Sequence, residues 1–163
     1  MPKFLRNIVR TRWYTAPNVE WLKAGQLSGD VLKDLGTTDG KLSIYEVPYD
    51  YDPTRIAIAI AANRPRLGPV DYLIFDGDIL QPSVFPLEKT PGETPDFEVN
   101  TLHHDLLQLT TDRLVSLVGL LSEGDKERVE PKPVKEALLE GLNSGALNVQ
   151  HFSQTLLKDL GWS

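Results

Sequence analysis

The hydrophobic positions divide the chain into a first part with strand and helix patterns and a second part with helix patterns alone. Residues 42–47 and 70–75 are short runs rich in β-branched and aromatic residues, which is typical of strands. Between them, Asp52 has the position of a helix cap and Pro53 that of a first helical residue. Isoleucines at every second position would favour a strand there, but the alanines between them favour a helix that ends near residue 64.

This strand–helix–strand order predicts a compact unit with two parallel strands and a right-handed crossover. Residues 4–14 fit either a strand or a helical stripe, and their β-branched and aromatic content favours the strand. Two short helices are predicted before the first clear strand. One covers residues 17–24, and the other begins after Ser28 as its N-cap and ends at Gly36.

The second part follows residues 81–100, which contain four prolines and little periodicity. A long helix is predicted from Thr101 to about Ser122. Its apolar residues surround the helix axis, so we expect it to be central and buried. A charged link over residues 123–132 then leads to a helix that starts near Pro133.

The last helix ends in Gly161 followed by Trp162, which predicts a left-handed cap with the tryptophan packed back on its own helix. These elements together predict an α+β fold. A small mixed sheet with the strand–helix–strand unit occupies residues 1–80, and residues 81–100 cross to a three-helix unit in 101–163. We expect the chain of 163 residues to form a single domain.

Composition limits the possible functions. The chain contains no cysteine, which excludes thiol catalysis, cysteine-bound zinc and iron–sulfur clusters. Its basic start is not followed by the apolar core of a secretory signal, and no run approaches the ~20 apolar residues of a membrane span. The expectation is a soluble, cytoplasmic protein that makes no membrane contact.

The net charge of −6 is unevenly distributed. Residues 1–80 carry ten acidic and ten basic side chains, whereas residues 81–163 carry thirteen acidic and seven basic ones. The acidic excess lies in the second part, where it would repel nucleic-acid phosphates. A nucleic-acid partner is therefore not expected there.

Four basic residues lie near the start of the chain, at Lys3, Arg6, Arg10 and Arg12. They could form an anion-binding edge that contacts nucleic acid. The favoured interpretation is a solvated edge strand, in which positive charge discourages pairing with other chains.

The strongest candidate for chemistry is a set of four aspartates. Asp50 and Asp52 follow the first clear strand, and Asp76 and Asp78 follow the second. If these strands are parallel neighbours, their carboxyl ends share one edge of the sheet, where ligands of α/β sheets bind. Clustered carboxylates would suit Mg²⁺ or Ca²⁺. The competing interpretation is structural, with helix capping and turn formation as the reasons for these residues.

His103, His104 and Asp105 are a second candidate, but adjacent helical residues point in different directions and cannot easily share a metal. Exposed or capping histidines are the favoured interpretation.

Three classes of function remain. The first is a non-enzymatic interaction or accessory domain without a cofactor, bound to a protein partner or to copies of itself. The second is a Mg²⁺- or Ca²⁺-dependent phosphoryl-transfer or hydrolytic enzyme, and the third is a nucleic-acid binder.

Overall fold

The computed structural model describes residues 2–13 and 20–163 of the chain. Within these residues six strands form one sheet in the order β4-β5-β2-β1-β3-β6, and every neighbouring pair is antiparallel. The strands are β1 (Lys3–Ile8), β2 (Leu42–Val47), β3 (Val70–Asp76), β4 (Leu87–Lys89), β5 (His103–Leu106) and β6 (Asp125–Val129).

Five α-helices accompany the sheet in the described part of the chain: α1 (Pro53–Ala62), α2 (Phe97–Asn100), α3 (Thr111–Ser122), α4 (Pro131–Ser144) and α5 (Gln154–Leu160). Short 3-10 helices lie at Arg10–Arg12, Gly29–Lys33, Gly77–Ile79 and Val149–His151. The predicted α+β class is confirmed. None of the described helices has the length and apolar character that a membrane-spanning segment requires.

The position of β1 distinguishes this sheet from the predicted one. β1 pairs with β3 along its whole length, from Lys3 opposite Asp76 to Ile8 opposite Asp71, and pairs with β2 on its other side. β2 and β3 are therefore parallel to each other, as predicted, but β1 lies between them. The interpretation of residues 4–14 as an edge strand is wrong, because this strand is central and ends at Ile8.

The core lies on both faces of the sheet. On one face Leu5 and Val70 pack with Ile56 of α1 and with buried leucines of α4 and α5. On the other face Phe4 and Leu73 pack in a second cluster with residues of α3 and the Gly29–Lys33 helix. Alternate residues of β1 and β3 enter opposite clusters, as the period of two in a strand requires. The sheet is thus the middle of three layers.

The predicted helix from Thr101 to Ser122 is wrong in its first half. Thr101 ends α2, β5 follows, and the helix proper begins after Thr110, whose hydroxyl accepts a hydrogen bond from the amide of Arg113. β5 forms because it pairs with the free edge of β2, a long-range contact that local periodicity does not encode. α3 is also not central, because it buries only Leu117 and Leu121 against the sheet.

The charged link over residues 123–132 contains β6, which pairs with β3 at the edge of the sheet. The charged side chains of β6 do not show the apolar pattern of a strand, because an edge strand tolerates charge on both faces. Residues 101–163 therefore contribute two strands as well as helices. The Pro-rich residues 81–100 likewise contain β4 and α2.

Several local predictions are confirmed. Asp52 caps α1 with Pro53 as first residue, and Ser28 caps the Gly29–Lys33 helix by accepting a hydrogen bond from the amide of Asp30. At the end of α5, Gly161 has φ +71° and the amide of Trp162 donates to the carbonyl of Leu157 at 3.0 Å. The predicted helix over 17–24 begins outside the described residues, and 20–24 are irregular and turn structure.

Candidate functional site

A cavity of about 710 Å³ opens at the end of the sheet where β2 and β3 finish and β1 begins. Four strands contribute to its floor: Val47 from β2, Lys3 from β1, Ile74 from β3 and Asp125 from β6. The strand register aligns these residues. Lys3 lies opposite Val47, and Ile74 lies opposite Asp125. We call this surface the sheet-end groove.

One wall of the sheet-end groove is the turn between β2 and α1. The amide of Tyr51 donates to the carbonyl of Pro48 at 3.0 Å, and Asp50 has φ +60°. The carboxylate of Asp52 accepts a 2.9 Å hydrogen bond from the amide of Thr54 and so joins the turn to the helix. These contacts hold the turn in a defined shape between two regular elements.

The turn presents two tyrosines in different ways. The side chain of Tyr49 stands in solvent at the rim of the groove, with 95% of its surface exposed. Tyr51 is half-buried, and its hydroxyl is buried without a hydrogen-bond partner among the described residues. Burial raises the pKa of the Tyr51 phenol above its ordinary value, against the opposing effect of the Arg55 charge.

The groove is acidic. Its lining contains four acidic residues and one basic residue, Lys3. Among the described residues, the carboxylates of Asp50, Asp125 and Glu127 have neither a hydrogen bond nor an ion pair. The fourth, Glu46, lies 3.8 Å from Nε2 of His104. Three acidic side chains are therefore available to a ligand.

The two pairs of predicted site aspartates lie at the same end of the sheet but do not share one cavity. Asp50 lines the sheet-end groove, whereas Asp76 lines a smaller cavity of about 200 Å³ beside the end of α3. The two cavities share Lys3, Ile74 and Asp125. Because β1 separates β2 from β3, the ends of these strands are two strand spacings apart, about 10 Å.

The Asp76-Gly77-Asp78 sequence has a structural explanation. The amide of Gly77 donates to the carbonyl of Pro2 at 2.9 Å, and a Cβ atom at this position would lie 2.8 Å from that oxygen. Glycine is thus required by the close approach of the start of β1. Asp78 lies in the first turn of the short helix that follows.

Within residues 2–13 and 20–163, no group of three or more histidine, aspartate or glutamate side chains is placed to hold a metal ion. The carboxylate of Asp52 already accepts the capping hydrogen bond of α1. A shared ion at Asp50, Asp52, Asp76 and Asp78 requires β2 and β3 to be adjacent, and in this sheet β1 lies between them. The Mg²⁺ or Ca²⁺ site stays a prediction.

His103 and His104 are not helical, exposed or capping residues. Each is buried to about 8% exposure in β5, and they point to opposite faces of the sheet. The hydroxyl of Thr90 donates a hydrogen bond to the carboxylate of Asp105 and also lies 2.9 Å from Nδ1 of His103. Because the single hydroxyl hydrogen points to Asp105, Nδ1 of His103 donates to the Thr90 oxygen. His104 packs edge-on against Phe4, with ring centroids 5.6 Å apart.

The basic residues near the chain start are largely engaged inside the protein. Arg6 donates to the backbone carbonyls of Ser43 and Asp34 at 2.8 and 2.7 Å. Burial lowers the pKa of Arg6, and the negative charge of Asp34 opposes this shift. Arg12 forms an ion pair with the buried Asp34 carboxylate. An anion-binding edge formed by all four basic residues is therefore not available.

Comparison of the chain with protein-family models, with curated proteins and with solved structures finds no match.

Proposed function

We propose that the protein is a non-enzymatic, cytoplasmic interaction domain that binds a protein partner in the sheet-end groove. The observation that carries this proposal is the position of Tyr49. Its side chain is 95% exposed at the rim of the sheet-end groove, a cavity of about 710 Å³. Tyrosine supplies a large contact area with few rotatable bonds, and it is enriched at the energetic centres of protein interfaces.

The surroundings of Tyr49 support a binding surface. Pro2, Pro48 and Pro53 line the groove, and rigid residues lose little entropy when a partner binds. The floor consists of strand residues and one wall leads directly into α1, so the site lies on regular elements. A concave, preformed surface of this kind favours binding of a segment rather than contact between flat faces.

The charge of the groove favours a protein over a nucleic acid as partner. Asp50, Asp125 and Glu127 would repel phosphates, and the single opposing charge comes from Lys3. Assembly of the chain with copies of itself through the same groove is the alternative within this class of function.

The metal-dependent enzymatic function has less structural support. It requires Asp50, Asp52, Asp76 and Asp78 to reach one ion through bonds of about 2.0–2.6 Å. β1 lies between the strands that carry the two pairs, and Lys3 is the residue of β1 at that level. We therefore favour the interaction domain, and the effect of Mg²⁺ or Ca²⁺ on the melting temperature distinguishes the two functions.

Selection from a displayed library of random twelve-residue peptides tests the proposed function. We expect peptides that bind the parent protein and lose most of their binding to Tyr49→Ala. Trp21→Ala is the matched control, because this aromatic side chain is also 71% exposed but does not line the groove. Selected peptides that bind all three proteins equally, or no selected peptides, would overturn the proposal.

A further inference from the structure

We infer that the sheet-end groove accepts a short extended peptide with two basic side chains four residues apart and no basic side chain between them. This inference rests on the proposed function and names the chemistry of the partner. It follows from three features of the groove: the positions of its free carboxylates, the place of Lys3, and the width of the sheet beneath it.

The free carboxylates lie in two groups at opposite ends of the groove. Asp50 lies on the β2 side, in the turn before α1. Asp125 and Glu127 lie on the β6 side and, two residues apart in a strand, point to the same face. All three side chains are without a hydrogen bond or ion pair among the described residues. Each end of the groove therefore attracts a cation.

Lys3 separates the two acidic ends. It lies on β1, between β2 and β3 in the sheet, and it lines the same groove. Its ammonium group has no hydrogen bond or ion pair within the described residues. A cationic side chain bound at the middle of the groove would be repelled by Lys3, whereas one at either end meets carboxylates. Among the residues that line the groove, the order of charges is thus acidic, basic, acidic, and Asp76, which lies opposite Lys3, lines the smaller cavity instead.

The strand spacing gives the approximate distance between the two cationic positions, because Asp50 lies in the turn after β2 and Asp125 lies on β6. From β2 to β6 the sheet order crosses three inter-strand spacings, ~14 Å in total. An extended peptide advances about 3.3 Å per residue, so this distance corresponds to about four residues. Tyr49 at the β2 rim offers an aromatic face to the first cation, and arginine stacks on such faces.

Fluorescence anisotropy with three labelled heptapeptides tests the inference. In the first peptide, positions 2 and 6 are arginine, and the other positions are proline, alanine or serine. The second has the same composition with both arginines adjacent at the centre, and the third has glutamates at positions 2 and 6. We expect the first peptide to bind at least about five-fold more tightly than the second peptide, and we expect the third peptide not to bind. Raising NaCl from 50 to 300 mM should weaken binding of the first about ten-fold.

Two double variants identify the charges that act. Asp125→Asn with Glu127→Gln should weaken binding of the first peptide about five-fold or more. Glu88→Gln with Glu136→Gln is the matched control, since both residues are exposed and neither lines the groove, and it should bind as the parent does. Lys3→Ala should reduce the preference for spaced over adjacent arginines.

The outcomes separate this inference from the proposed function. Equal binding of the spaced and adjacent peptides, or Tyr49-dependent library peptides without basic residues, overturns the basic-segment inference and leaves the interaction domain intact. Absence of any Tyr49-dependent peptide overturns both. Sedimentation of the parent at the same concentrations adds a further outcome. A dimer that Tyr49→Ala dissociates would assign the groove to a second copy of the chain and overturn the inference.

Discussion

The carboxylate of Asp34 accepts a 2.7 Å hydrogen bond from the indole nitrogen of Trp13 inside the core. The same carboxylate accepts from the amide of Val9 at 2.6 Å and pairs with Arg12. One side chain thus holds the end of β1, the Arg10–Arg12 helix and the Gly29–Lys33 helix together. A buried charge with several donors is costly to disrupt, because its removal leaves those donors unsatisfied.

We predict that Asp34→Ala lowers the free energy of unfolding by about 3–5 kcal/mol. The reason is that the buried indole of Trp13 and the partly buried donors of Val9 and Arg12 lose their acceptor. Urea denaturation followed by tryptophan fluorescence measures the change. Asp30→Ala in the Gly29–Lys33 helix, which Asp34 directly follows, is the control and should cost less than about 0.5 kcal/mol, since its contact with Lys33 is exposed. Similar stability of the two variants would contradict the assigned role of Asp34.

A second prediction concerns α3. Leu117 is fully buried between this helix and the sheet, whereas Val115 on the same helix is 59% exposed. Leu117→Ala should therefore destabilise the protein by about 2–5 kcal/mol, and Val115→Ala by less than about 0.5 kcal/mol. Thermal or urea unfolding measures both. Equal melting of the two variants and the parent would mean that α3 does not pack on the sheet as described.

The third prediction concerns acid stability. Burial would raise the pKa of Asp71, but hydrogen bonds from the side chain of Arg128 and the amide of Arg10 outweigh it and hold the pKa below its ordinary value. The ionised form is thus favoured by folding. Its contribution to stability is present above the ordinary pKa of an aspartate, about 3.9, and is lost as the pH falls below that value toward the folded pKa.

Asp71→Asn should therefore reduce the fall in the urea midpoint between pH 5 and pH 2.5, while lowering stability at pH 7. The measurement is a series of urea unfolding curves across that range for the parent and the variant. A variant whose midpoint falls as steeply as that of the parent would show that other groups account for the acid sensitivity.

The buried hydroxyl of Tyr51 gives a fourth prediction. It has no partner among the described residues, so its burial costs free energy that no hydrogen bond offsets. Tyr51→Phe should leave stability unchanged or raise it by about 1 kcal/mol. Calorimetric melting measures the change in stability. Tyr45→Phe provides a comparison at a tyrosine of β2, the strand that precedes the turn of Tyr51. A clear loss of stability in Tyr51→Phe would mean that the hydroxyl is hydrogen-bonded.

A fifth prediction separates the interaction domain from the metal-dependent enzyme. Because β1 separates the two aspartate pairs, we expect 5 mM Mg²⁺ or Ca²⁺ to shift the melting temperature by less than about 1 °C relative to NaCl of equal ionic strength. A rise of several degrees that disappears in Asp76→Asn would instead support a metal site. That result would favour the enzymatic function.

The sequence by itself determined those features that depend on neighbouring residues. The cap at Asp52 with Pro53, the strand Leu42–Val47 and the left-handed end of α5 at Gly161 are all local. Capping, side-chain alternation and positive φ act within a few residues, so their signals are complete in the sequence. The position of each aspartate relative to its own strand is also local: Asp50 lies in the turn after β2, and Asp76 is the last residue of β3.

Only the tertiary structure decided which strands are neighbours. His103–Leu106 becomes a strand because β2 has an unpaired edge, and Asp125–Val129 because β3 has one. β1 enters between β2 and β3 and brings Lys3 to the level at which the carboxylates were expected to meet. Strand pairing joins residues far apart in the chain, and its free energy depends on the partner as much as on the segment itself. The groove, its order of charges and its exposed Tyr49 therefore exist only in the folded chain.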